Sequence, residues 1–134
     1  MEVRGEKLER PLARAKAICS YEDLEVYQRA MALLPQVHRL ALDLPDFERY
    51  NLADQMRRAS KAIPANIAEG YGKKRSAREF KAYLTTALGS TNEMLVHLKI
   101  AASLDYVAQE HCDELIAAYT VVGKQLHRLI ERWH

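Results

Sequence analysis

At 134 residues, 49% of them hydrophobic and 28% charged, the chain suffices for one domain with its own apolar core, without staples. Its two cysteines, Cys19 and Cys112, lie far apart and match no disulfide framework and no zinc spacing. The formal net charge is only +2, so a surface for a polyanion would have to be local.

Residues 1–19 read as a mobile extension: mixed charge, Gly5, Pro11 and no sustained periodicity. Met1 to Lys16 lacks the apolar run of a signal peptide, and no eighteen apolar residues run together anywhere. The expectation is a cytoplasmic protein with no membrane span, its domain occupying residues 20–134.

Ser20 with Asp23 marks a helix start of capping-box type. The first helix runs to about Leu42, with Leu24, Tyr27, Met31, Leu34 and Ala41 on its inner side and a kink at Pro35. Leu44-Pro45-Asp46 closes it. The second helix covers roughly Phe47 to Glu69, with Leu52, Met56, Ala59, Ile63 and Ile67 as its stripe and a bend at Pro64. Gly70 and Gly72 are expected to stop it in the left-handed cap conformation.

The third helix opens on Ser76 and Glu79, a second capping box. Phe80, Leu84, Ala87, Thr91, Met94, Leu98 and Ala101 then follow in steps of four and three. The fourth, from about Ala108 to Trp133, repeats the pattern with Cys112, Leu115, Tyr119, Val122, Leu126, Leu129 and Trp133. Short connections near Pro45, Gly70–Arg75 and Asp105–Val107 make consecutive helices antiparallel. The fold class is therefore all-α, an antiparallel up-down-up-down four-helix bundle. Leu88, Val96 and Ile100 fall off the seam of the third helix, beside the small Gly89, and are expected to form a self-association surface.

Enzyme chemistry finds little support. The di-iron bundle needs paired Glu-x-x-His steps facing inward, and the one such step here, Glu131–His134, sits at the chain end. His38 and His97 are isolated. Cys112 follows His111 directly, and neighbours on a helix do not face each other. Gly70-Tyr-Gly72-Lys-Lys has no phosphate-loop spacing and no strand before it. No catalytic residue, metal or cofactor is expected. Asn66 and Glu69 are awkward within a helix, and hydrogen bonds to neighbouring helices or to the bend at Pro64 are the expected compensation.

The functional candidate is a basic band. Arg57, Arg58, Lys61, Lys73, Lys74, Arg75, Arg78 and Lys81 face only Glu69 and Glu79 in that stretch, a local charge of +6 in a chain whose remainder is −4. With Tyr71 its one aromatic, the band points to phosphate contacts on RNA or DNA, largely indifferent to sequence. An alternative is a protein-protein interaction scaffold in which the band only solubilises.

The text from Tyr50 to Gly70 resembles the signature of the bacterial four-helix-bundle family encoded within 23S rRNA intervening sequences, some members of which were labelled S23 ribosomal proteins. Tyr21–Ala30 and Glu79–Ser90 extend the likeness, which covers about Tyr21 to Trp133. Arg57, Arg58, Asn66, Glu69 and Gly70 fall on signature positions. The resemblance implies a bundle without known catalytic activity that assembles into a ring, a homopentamer in relatives. It is similar, too, to the basic accessory proteins of diversity-generating retroelements, which implies nucleic acid and a reverse transcriptase as partners. A net charge of +2 and the extension at residues 1–19 depart from those proteins.

Overall fold

The computed structural model describes residues 17–134, so the extension expected over 1–19 lies outside the described residues except for Ala17, Ile18 and Cys19. Those three carry no regular structure and are exposed. The Ser20–Asp23 box is present: Ser20 Oγ accepts the Glu22 N–H at 3.1 Å, and Asp23 Oδ2 accepts the Ser20 N–H at 3.1 Å. It caps a short 3-10 turn, Tyr21–Asp23, and an extended Leu24 then leads into α1, Glu25–Leu42.

Three further helices follow: α2, Leu52–Tyr71, α3, Ala77–Ser103, and α4, Gln109–Arg132. No strand occurs among the described residues. α1 packs on α2, α2 on α3, α3 on α4, and α4 returns to α1. No described helix is long and apolar enough to cross a membrane.

The seam expected on α3 is buried throughout, Thr91 included, whose hydroxyl donates to the Ala87 carbonyl at 2.9 Å. On α4, Cys112, Leu115, Tyr119, Val122 and Leu126 are buried, while Leu129 and Trp133 are half-buried against the core. The stripe expected on α1 holds at Leu24 and Ala41, which are buried, and is corrected between them. Val26, Ala30, Leu33, Val37, Leu40 and Ala41 face inward, whereas Met31 is exposed and Tyr27 and Leu34 are only partly covered. Tyr27, Met31 and Leu34 each stand one position after the residue that is buried, a rotation of about 100°.

The second helix is also corrected. Asp46–Glu48 forms a separate 3-10 turn, and α2 begins only at Leu52 and runs unbroken past the buried Pro64 to Tyr71. Neither Gly70 nor Gly72 is left-handed; Gly72 caps α2 with φ −64°. Gly70 serves packing instead: a Cβ there would stand 2.5 Å from Tyr83 Cβ and 3.1 Å from Phe80 Cδ1. The left-handed cap belongs to Asp105, φ 60°, after α3. There the Tyr106 N–H donates to the Ala101 carbonyl and the Asp105 N–H to the Ala102 carbonyl, the paired bonds of a Schellman ending. Tyr106 then reaches across to the α1–α2 connection, its hydroxyl donating to Glu48 at 2.8 Å and its ring edge meeting Phe47.

Candidate functional site

Aromatic packing decides which charges become neighbours. The Phe80 ring, in the first turn of α3, meets Tyr71 at the end of α2 at 6.0 Å and Trp133 after α4 at 4.7 Å, both edge to face. The α2–α3 turn and the last turns of α4 therefore share one end of the molecule. Lys73, Lys74, Arg75 and Arg78 occupy that turn and the start of α3, and Arg128 and Arg132 join them from α4. α3 adds the positive end of a 27-residue helix dipole, pointing the same way.

Within this end the cations are in different states. Lys73 Nζ lies 5.2 Å from the Tyr83 ring centre, and its pKa is raised by a hydrogen bond with the Tyr83 hydroxyl. Lys74 Nζ lies 4.6 Å over the Tyr71 ring. Tyr83 in turn donates to Glu69 at 3.2 Å, which occupies the one acid at the end of α2 and answers why a glutamate sits there. Asn66, the other awkward residue, donates to the Ala62 carbonyl at 2.8 Å. Arg75, Arg78, Arg128 and Arg132 make no ion pair among the described residues. Ser76 Oγ accepts the Glu79 N–H at 3.2 Å and fixes the turn from which Arg75 and Arg78 project.

The remaining band residues stand elsewhere. Lys61 and Arg57 precede the end of α2 by roughly 15 and 21 Å at 1.5 Å per residue. Arg57 donates to the Arg49 carbonyl at 3.0 Å, and Asp54 lies 3.7 Å from Arg57 and 3.3 Å from Arg58, so this group is partly neutralised. Lys61 is exposed, and with Arg57 it faces His38 of α1, whose pKa is lowered by burial first and by those two cations next. Lys81 is half-buried one turn beyond Arg78. The eight residues thus form two clusters rather than one continuous band.

Arg128 and Arg132 are not found by counting charge along the chain, because they come from the far end of the sequence. The signal was available in the seams: Phe80 opens one stripe and Trp133 ends the other, and the two rings meet.

The three residues expected on one flank of α3 are also divided. Val96 and Ile100 are 52% and 38% exposed and border a shallow groove with Lys99, Ser103 and Leu104. Leu88 instead packs against the core beside Gly123 of α4. The helix turn separates it from Val96 by about 80°. His97 is buried, with Nε2 3.1 Å from Glu93 Oε2. Cys112 is sealed in the core, where burial, and then Asp113, raises its thiol pKa.

Known proteins share this fold. A crystal structure of a protein of unknown function from the S23 ribosomal protein family, from Bacteroides thetaiotaomicron VPI-5482, superposes with a TM-score of 0.72 at 22% identity, covering 79% of this chain and 98% of its own. A search of the curated proteins found no match. The family model of the 23S rRNA-intervening sequence protein matches residues 22–128, which takes in all of α1, α2 and α3 and most of α4. The chain belongs to the 23S rRNA-intervening sequence protein family.

Proposed function

We propose that this protein is a non-catalytic nucleic-acid-binding bundle that grips the phosphate backbone of RNA or DNA with the cationic end built by the α2–α3 turn and the end of α4. The observation that carries the proposal is the gathering of Lys73, Lys74, Arg75, Arg78, Arg128 and Arg132 at one end, none of them in an ion pair among the described residues. Unpaired guanidiniums release phosphate counterions without first breaking a bond within the protein. Lys61, Arg57 and Arg58 form a second, weaker contact further along α2.

In this reading the four helices run up, down, up and down, and copies of the chain form a ring, a homopentamer as the family resemblance implies. A ring would repeat the cationic end about its axis and deepen its field. A reverse transcriptase is the protein partner that the same resemblance suggests.

Fluorescence anisotropy with structured RNA and duplex DNA over a salt series tests the proposal. If six phosphates are engaged, affinity falls about a thousandfold between 50 and 200 mM salt. Reversing Lys73, Lys74, Arg75 and Arg78 to glutamate removes most of the slope, at about 0.9 per phosphate contact. Absence of binding at low salt sinks the proposal and leaves a scaffold that docks protein alone. Size measurement by light scattering tests the ring separately.

A further inference from the structure

We infer that the groove between the start of α1 and the end of α4 is a pocket for one unpaired nucleotide, with its base on Leu24, Val26 and Leu129 and its phosphate on Arg128 and Arg132. This deepens the nucleic-acid proposal and rests on it. Gln125, Arg128, Leu129 and Arg132 fall at i, i+3, i+4 and i+7, one face of α4, and all four line the groove opposite Leu24, Glu25 and Val26.

The chemistry follows from one anomaly. Gln125 Oε1 is buried and has no hydrogen-bond partner. Buried polar atoms are nearly always paired, so an orphan calls for a cause. The Tyr119 hydroxyl, His97 Nδ1 and His38 Nδ1 share this state, but Tyr119 and His97 are sealed in the core and none of the three lines this groove. Gln125 instead borders open space. The terminal torsion of glutamine is soft, so its amide turns into the groove when a partner arrives.

A nucleobase amine is the donor that this oxygen lacks, and adenine, cytosine and guanine each carry one. The apolar floor suits the face of a base. A guanidinium stacks on a base plane and also holds phosphate in bidentate fashion, so two of them one turn apart suit a nucleotide. Glu25, its carboxylate held by Arg29 at 2.9 Å, keeps the phosphate to the α4 side. Bases in a duplex are stacked and paired, and cannot enter. The pocket therefore selects single strands or unpaired loops, which the cationic end alone would not do.

The test compares the intact chain with Gln125→Leu by anisotropy, using labelled single-stranded oligoadenylate and a duplex of equal length. Wild type is expected to bind the single strand about fivefold tighter or more, the worth of roughly one hydrogen bond. Gln125→Leu should lose that preference while keeping duplex affinity and its salt slope. Its thermal midpoint should hold or rise, since a buried, unpaired amide oxygen gives way to an apolar group of similar volume. Adenosine 5′-monophosphate that displaces the strand from wild type but not from Gln125→Leu supports the pocket with free nucleotide as sufficient ligand. Displacement by unlabelled strand alone, equally lost in the variant, supports it with neighbouring phosphates required. A variant that keeps its single-strand preference, or that unfolds at lower temperature, overturns the inference and leaves the cationic end standing. If wild type binds neither probe at low salt, the nucleic-acid proposal has failed first.

Discussion

Two glycines, Gly70 of α2 and the exposed Gly89 of α3, should respond to alanine with opposite signs. At Gly70 the added methyl would sit 2.5 Å from Tyr83 Cβ, an atom next to the α3 backbone that cannot swing aside, and 3.1 Å from the Phe80 ring. Relieving that contact means separating α2 from α3, an overpacking cost of about 2–3 kcal/mol. Alanine returns about 1 kcal/mol of helix propensity, leaving a net loss of about 1–2 kcal/mol. With an unfolding entropy of about 2.1 cal/mol/K per residue, each kcal/mol moves the midpoint of this chain by about 3.5 °C, so Gly70→Ala should melt about 4–7 °C below wild type. At Gly89, within α3, an added Cβ meets nothing within 4 Å. Propensity acts alone there, and Gly89→Ala should gain about 0.5–1 kcal/mol and melt about 2–4 °C higher. Thermal unfolding followed by circular dichroism, with a urea series to confirm an unchanged slope, measures both. A Gly70→Ala variant as stable as wild type would refute the close approach of α2 and α3.

Three further outcomes follow from single side chains. Burial pushes the Tyr119 phenol well above its usual value near 10, so above that pH the unfolded chain sheds a proton that the fold retains, and stability should fall as pH rises. Tyr119→Phe should abolish that fall in urea midpoints measured from pH 9 to 11, and should be neutral or stabilising at pH 7, since its hydroxyl has no partner. His38 behaves in the opposite sense: burial and the neighbouring Lys61 and Arg57 hold its pKa below 6.5, so the unfolded chain takes up the proton first and stability should drop as pH falls from 7 to 5. His38→Gln should flatten that dependence. Tyr106→Phe removes the 2.8 Å bond to Glu48 and should lower the thermal midpoint.

Burial was legible in advance where one stripe could be followed without a competitor. The α3 and α4 stripes run in strict, unbroken steps of four and three. α1 offered two apolar stripes side by side. Val26-Tyr27, Ala30-Met31 and Leu33-Leu34 each present two apolar neighbours, and in the first two pairs the larger drew the inward assignment. The fold buries the smaller one there, which lets α1 lie close to its neighbours. The glycines misled for a related reason. A helix-terminating Gly and a Gly that admits a neighbouring helix look alike in one dimension, and only the position of Tyr83 separates them. Local charge was visible at the α2–α3 turn, but the contribution of α4 depended on Phe80 meeting Trp133, a contact between residues far apart in the chain.

The order in which the helices pack also bears on how the chain folds and opens. α1–α2, α2–α3 and α3–α4 are neighbours along the chain and close over short loops, so each pair forms with little loss of chain entropy. Joining α4 to α1 requires everything between them to be in place, and that seam is the sparsest of the four. Folding should therefore be fast, as expected for mostly local contacts, with this seam closing last. It should also be the first to open, and amide exchange ought to show the first turns of α1 near Val26 and the last turns of α4 near Leu129 as less protected than the α2–α3 seam. The nucleotide groove lies along that seam. A ligand bound there would act as a latch, fastening the one joint of the bundle that chain connectivity leaves loose.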